Sequence, residues 1–97
     1  TAVSSAKTIV KKFSLKQNYP NPFNPNTVIE FYIPEDGFTS LIIYDILGRE
    51  AAQLLNEELD AGFYSFEFSG ANLTSGIYFY RLQLNELVEV RKMSLIK

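Results

Sequence analysis

Carboxylates are the side chains of this sequence that come closest to a catalytic or metal-binding group. Two clusters stand out, Glu35-Asp36 and Glu57-Glu58-Asp60, and both lie in segments typical of turns. Paired carboxylates can act as acid and base in glycoside hydrolysis, and several together can bind calcium. Neither use is favoured, because the calcium-loop pattern D-x-D-x-D-G is absent and a chain of 97 residues offers no obvious cleft for a sugar chain.

Histidine and cysteine are both absent from the sequence. Their absence removes the commonest general base, the thiol nucleophile, and the zinc and iron–sulfur sites that are built on these ligands. A glycine-rich phosphate loop is missing as well. We therefore expect a protein that is not an enzyme and that uses neither a cofactor nor a metal ion.

The charges are unevenly distributed, although the net charge is only −2. Residues 1–16 contain four Lys and no acid, residues 17–80 contain nine carboxylates and one Arg, and residues 81–97 are again basic. An acidic body between basic ends lacks the contiguous basic face that nucleic acid requires. We expect residues 1–12 to be a solvated linker and the basic C-terminal end to be an electrostatic handle for a partner.

Short runs of alternating apolar and polar residues, separated by turn signals, make up most of the chain. The predicted strands are residues 13–17, 27–33, 38–45, 49–55, 63–69, 77–84 and 87–96. Seven runs without a convincing helix predict an all-β, Ig-like antiparallel β-sandwich, and no run is long enough to span a membrane. The last run changes parity between Val90 and Met93, which predicts a β-bulge near Arg91-Lys92.

Local turn chemistry supports these strands. Asp45-Ile46-Leu47-Gly48 has Asp first and Gly fourth, which is typical of a type I turn, and Asn85-Glu86 is predicted to be a two-residue hairpin loop. The segment from Leu73 to Tyr78 has the L-x-x-G-x-Y spacing of a tyrosine corner, in which the Tyr hydroxyl bonds to backbone a few residues upstream. We therefore assign Tyr78 a structural role.

The most distinctive segment is N-Y-P-N-P-F-N-P-N, at residues 18–26. Its three prolines remove three donors, so it cannot join a central strand, and we interpret it as a stiff crossing that covers a sheet edge. A polyproline II ligand surface with Tyr19 and Phe23 exposed is the alternative. Elsewhere in the chain, four aromatic residues give a separate hypothesis, a sugar-binding platform made of Tyr32, Tyr44, Phe63 and Phe79.

The order and spacing of several elements resemble a known family. The residues that carry the resemblance are Asn18, Pro20, Asn21, Pro22, Phe23, Asn24 and Pro25 in the opening segment, Tyr44, Asp45 and Gly48 in Y-D-x-x-G-R, Gly76 and Tyr78 in S-G-I-Y, and the closing R-K-M-S-L-I-K. Together they resemble the type A C-terminal sorting domain of the type IX, or Por, secretion system, over residues 13–97.

The resemblance implies a function that the residues alone do not. Such domains are Ig-like sandwiches at the C-termini of larger secreted proteins, are recognised at the outer membrane by the type IX machinery, and are commonly cleaved. It implies passage through the periplasm to the cell surface or the extracellular space, with the machinery and the N-terminal cargo domains as partners. We expect recognition at the last strand, by Arg91, Lys92, Met93 and Lys97. A structural docking or spacer module, or a carbohydrate-binding accessory domain of a secreted hydrolase, are the alternatives.

Overall fold

Seven strands form the part of the chain that the computed structural model describes, residues 12–97. Apart from Lys12, the predicted linker lies outside these residues. The strands are β1 (Ser14–Leu15), β2 (Asn26–Ile33), β3 (Gly37–Asp45), β4 (Glu50–Leu59), β5 (Gly62–Ser69), β6 (Gly76–Leu84) and β7 (Leu87–Leu95). They form two antiparallel sheets, in the orders β1-β2-β5 and β4-β3-β6-β7. The predicted all-β sandwich is confirmed, and none of the described residues belongs to a helix that is long and apolar enough to cross a membrane.

The core follows from the two-residue period of the strands. Alternate side chains of β2, β3 and β6 point between the sheets, and the residues that are fully buried there include Ile29, Phe31, Ile33, Leu41, Ile43, Tyr80, Leu82 and Leu84. Burying a side chain of this size contributes about 1.5–3 kcal/mol. The buried side chains of β2 in one sheet and of β3 and β6 in the other therefore account for much of the stability of the sandwich.

Strand β4 is longer than its sequence pattern predicts. It continues to Leu59 because Asn56, Glu57 and Glu58 pair in register with β3, although their side chains are exposed. The register between β3 and β4 shifts at Leu41/Ile42 and again at Ile43/Tyr44. Because each shift changes which residues of β4 face the core, the alternation of apolar and polar residues along this strand is weak.

Strand β7 departs from the prediction at its centre. It pairs with β6 from Leu87 to Leu95 without a register shift, so the bulge predicted near Arg91-Lys92 is wrong. Met93 and Leu95 face the core, whereas Val88 and Val90 lie on the opposite face and are 43% and 53% exposed. The prediction failed because it assumed that all the apolar residues of this strand are buried on one face.

Candidate recognition surface

The proline-rich segment crosses from one sheet to the other. Near its start, Tyr19 and Val28 exchange two backbone hydrogen bonds, at 3.0 and 2.9 Å. Further along, the Phe23 N–H donates to the Ser94 carbonyl, and the Ile96 N–H donates to the Phe23 carbonyl, both at 2.9 Å. The segment therefore covers the outer edge of the C-terminal end of β7, as a stiff crossing is predicted to do.

Asparagine side chains make the hydrogen bonds that hold this crossing in place. Asn18 is buried, and its Nδ2 donates to the Thr27 hydroxyl at 3.0 Å and to the Pro20 carbonyl at 3.1 Å. The Asn21 Oδ1 accepts the N–H of Ser94 at 2.9 Å. Since the prolines supply no backbone donor, these side chains fix the path of the chain.

The two aromatic residues of the segment have opposite environments. Phe23 is 1% exposed, and its ring lies 6.1 Å from that of Phe68, whereas Tyr19 is 79% exposed. A polyproline II ligand surface that presents both rings is therefore wrong. The other residues of the motif are exposed or half-buried, namely Pro20, Asn21, Pro22, Asn24 and Pro25.

One carboxylate holds the turn between β3 and β4. The Asp45 Oδ1 accepts the backbone N–H groups of Leu47 and Arg49 at 2.9 Å, and its Oδ2 accepts the Arg49 Nε–H at 2.8 Å. The hydrogen bond from the Arg49 backbone is the main reason that the pKa of Asp45 is lowered. Gly48 has a φ of 84° and donates to the Asp45 carbonyl at 2.9 Å. The predicted turn is present, and it exposes Ile46 and Leu47 at its tip.

Tyr78 makes the hydrogen bond that the tyrosine-corner pattern predicts. Its hydroxyl donates to the Thr74 carbonyl at 2.7 Å, and the side chain is buried. Gly76, with a φ of 154°, begins β6 between these two residues. The contact ties the loop before β6 to the strand itself.

Tyr80 is a structural residue that sequence reasoning missed. The side chain is fully buried, and its hydroxyl donates to the Lys16 carbonyl and accepts the Asn18 N–H, both at 2.7 Å. Burial raises the pKa of Tyr80 to about 12. Alternation along β6 places this residue inside, and a buried Tyr hydroxyl needs a partner. The partners lie more than 60 positions away, so the sequence does not identify them.

The four residues predicted for recognition are divided between the core and the surface. Met93 is fully buried, so its side chain is not accessible to a partner. Lys92 and Lys97 are exposed, and the Lys97 Nζ donates to the carbonyl of Ala71 at 2.6 Å. The two lysines therefore place positive charge along β7 and at the end that follows it.

Arg91 makes a contact within the fold. Its Nε donates to the Leu15 carbonyl, and the Leu15 N–H donates to Glu89 Oε1 at 3.3 Å. Leu15 belongs to β1, an outer strand of the smaller sheet, and β7 is an outer strand of the larger one. The two side chains of β7 therefore close the seam between the sheets.

The four aromatic residues predicted for a sugar platform form two separate pairs. Tyr32 and Phe63 lie opposite each other on β2 and β5, with ring centroids 4.6 Å apart and an interplanar angle of 53°. Tyr44 and Phe79 lie opposite each other on β3 and β6, in the other sheet. A single flat platform made of all four rings is therefore wrong.

The expectation that both carboxylate clusters lie in turns is wrong for Glu57 and Glu58, which belong to β4 because they pair with β3. The Asp36 Oδ1 accepts the Ala61 N–H at 2.8 Å, which links the turn before β3 to the turn before β5. Within residues 12–97, no group of three or more Asp or Glu is placed to hold a metal ion. A partner of the described residues would therefore meet exposed side chains on the strands and turns, including lysines.

Comparison with known proteins gives two findings. The family model described as "Secretion system C-terminal sorting domain" matches residues 17–97. Among solved structures, the chain is similar to PorZ, an essential bacterial surface component of the type-IX secretion system of Porphyromonas gingivalis, with a TM-score of 0.57 and 17% identity. The similarity covers 88% of this chain but 11% of PorZ, and at this identity it shows a shared fold. No curated protein matches the chain.

Proposed function

Because this chain belongs to the family of secretion system C-terminal sorting domains, we propose that it is a folded, non-catalytic signal that sends a larger protein across the outer membrane. Proteins with type IX sorting signals are delivered to the cell surface or the extracellular space. In this proposal the cargo precedes the domain, both pass through the periplasm, and the domain is cleaved from the cargo after recognition.

The family match over residues 17–97 is the observation that carries the proposal. It spans β2 to β7 and includes every turn described above. Three residues of the sequence motifs make contacts that hold the fold together: Asn18 fixes the proline-rich crossing, Asp45 holds a turn and Tyr78 anchors a loop. Such contacts support a domain that is recognised through its shape and surface.

We propose that the recognised surface lies along β7 and the residues that follow it, at Arg91, Lys92 and Lys97. Positive charge supports this choice, because residues 17–80 carry nine carboxylates and a single Arg. An acidic surface on the machinery would be attracted to this end and repelled by the acidic body at residues 17–80. Met93 supports this surface indirectly, because its buried side chain anchors β7 in the core.

A secretion assay tests both statements. Residues 1–97 are fused behind a signal peptide and a fluorescent reporter, in one host with an intact type IX system and one without it. Deleting the last ten residues would remove Met93 and Leu95 from the core, so the tail is altered by Lys92→Glu and Lys97→Glu together. Lys12→Glu with Lys16→Glu is the matched control, because it makes the same change in charge at two exposed residues near β1.

The proposal predicts surface or extracellular reporter only in the host with the machinery. It also predicts that the Lys92/Lys97 variant is secreted several-fold less than the Lys12/Lys16 control. Reporter that stays in the periplasm in both hosts, although the domain is folded, contradicts the sorting function. Equal secretion of the two charge variants contradicts the proposed recognition surface.

A further inference from the structure

Within residues 12–97, the backbone of the chain occupies only part of the outer edge of β7. Successive residues of an antiparallel strand direct their backbone N–H and C=O groups alternately to the two sides. Ser94 and Ile96 use their outward groups to bond the proline-rich segment, and the outward carbonyl of Lys92 accepts the Gln17 Nε2–H at 2.7 Å. By the same alternation, the backbone groups of Val88 and Val90 face this outer edge.

The edge groups of Val88 and Val90 have no hydrogen-bond partner among residues 12–97. The neighbouring inward residues, Glu89 and Arg91, bind Leu15 through their side chains, so these contacts with β1 use no outward backbone group of β7. An open row of N–H and C=O groups is a template for one more extended strand.

The side chains around this open edge indicate what kind of strand would fit. Val88 and Val90 are exposed on the outer face of β7, and Lys92 follows them on the same face. Arg81 lies opposite Val90 on β6, so a second cation adjoins Val90, whereas Gln83 lies opposite Val88. A strand that carries apolar side chains for the valines and carboxylates for the cations would match this surface in both respects.

The other outer strand of this sheet is protected in a different way. On β4, exposed carboxylates at Glu50, Glu57 and Glu58 accompany the edge. Charged residues along an edge strand oppose pairing with another chain. On β7 the one carboxylate between the two valines, Glu89, accepts the Leu15 N–H, and the exposed charges that follow, on Arg91 and Lys92, are positive.

From the open backbone groups and the adjoining cations, we infer that β7 binds an extended segment of the outer-membrane machinery by β-strand addition at Val88–Val90. The inference rests on the proposed sorting function and specifies its partner. The occupant is a strand of a protein with alternating apolar and acidic residues. Its backbone pairs with Val88 and Val90, and its carboxylates lie near Arg81 and Lys92.

Proline at an outward N–H gives a direct test. Val90→Pro removes an N–H that has no partner among residues 12–97, and its ring blocks an approaching strand, while the hydrogen bonds between β6 and β7 remain. Val90→Thr is the matched control because it keeps the N–H and a β-branched side chain. Val88→Pro makes the same change at the neighbouring open position. Melting temperatures of all three variants verify that they fold.

The reporter fusion in the host with intact machinery provides the readout. Each proline removes one hydrogen bond to the added strand and obstructs its approach. Secretion should therefore fall by about tenfold or more in each folded proline variant. Val90→Thr should be secreted like the wild type. Wild-type secretion of both folded proline variants overturns the strand-addition inference and leaves the sorting function standing. Failure of the unmodified fusion to be secreted overturns the sorting function itself.

Sedimentation of the unfused chain distinguishes the occupant. A monomer in the wild type and in Val90→Pro supports a strand from the machinery. A wild-type dimer that Val90→Pro converts to a monomer shows that a second copy of this chain occupies the edge, and it overturns the inference.

Discussion

Replacing Tyr80 by Phe is expected to destabilise the domain more than the same replacement of Tyr78, two residues earlier on β6. Both substitutions delete a single hydroxyl and keep the ring. The Tyr80 hydroxyl makes two hydrogen bonds of 2.7 Å, to the Lys16 carbonyl and the Asn18 N–H. The Tyr78 hydroxyl donates one of 2.7 Å to the Thr74 carbonyl and makes a longer one of 3.4 Å with the Thr74 hydroxyl. The difference in unfolding free energy between the two variants therefore reports the hydrogen bonds that Tyr80 makes to the segment after β1.

The expected magnitudes follow from these partners. Tyr80→Phe leaves the Asn18 N–H buried without an acceptor, and it also removes the donor to Lys16, so the cost should be about 2–3 kcal/mol. Tyr78→Phe removes the partly buried hydrogen bond of 2.7 Å to the Thr74 carbonyl and the longer one of 3.4 Å with the Thr74 hydroxyl, and it should cost about 1 kcal/mol. In a domain of this size, each kcal/mol lowers the melting temperature by about 4–8 °C.

Urea unfolding followed by circular dichroism measures both free energies. The slope of the free energy against urea concentration should be the same in the two variants and the wild type, so that midpoints report stability alone. Equal losses of stability would refute the special role of the Tyr80 network. A Tyr78→Phe variant as stable as the wild type would refute the tyrosine corner.

Three further predictions concern ionisation and backbone geometry. Because burial raises the pKa of Tyr80 from 10.0 to about 12, its stabilising effect is complete below pH 10.0 and is lost as the pH rises toward about 12. An alkaline titration of tyrosinate absorbance should show one late ionisation that is missing in Tyr80→Phe. The pKa of Asp45 is lowered from 3.8, so its contribution is present above pH 3.8 and is lost as the pH falls through the lower folded value. Acid unfolding of Asp45→Asn should therefore depend less on pH in this range than that of the wild type. Gly48→Ala should cost about 1–2 kcal/mol in urea unfolding, because an L side chain is strained at a φ of 84°, and an unchanged midpoint would contradict this turn geometry.

Local contacts were predictable from the sequence because both partners lie in one short motif. Asp45 bonds residues two and four positions away, and Tyr78 bonds a carbonyl four positions away. The alternation of apolar residues also predicted six of the strands closely. It predicted β4 less well, because the register shifts against β3 disturb its pattern.

Contacts between distant segments could not be predicted in this way. Glu89 and Arg91 were expected to lie in a strand, but their binding of Leu15 depends on the two sheets meeting at this seam. The exposure of Val88 and Val90 follows from the same contact, because the inward positions of this half of β7 bind β1. Phe23 lies in a proline-rich segment without periodicity, so no pattern indicated that its ring is buried.

Met93→Asp tests whether the machinery recognises the folded domain, as proposed, and not a linear tail. Met93 is fully buried, so a carboxylate there should unfold the sandwich while every exposed residue, including Lys92 and Lys97, stays unchanged. Gln53→Asp introduces the same charge at an exposed position of β4 and serves as the control. The fraction of reporter at the cell surface and in the medium is measured in a host with intact machinery, and circular dichroism establishes which variants are folded. Gln53→Asp is expected to be secreted like the wild type, and unfolded Met93→Asp is expected to remain in the periplasm. Secretion of the unfolded Met93→Asp variant at the wild-type level would contradict recognition of the folded domain.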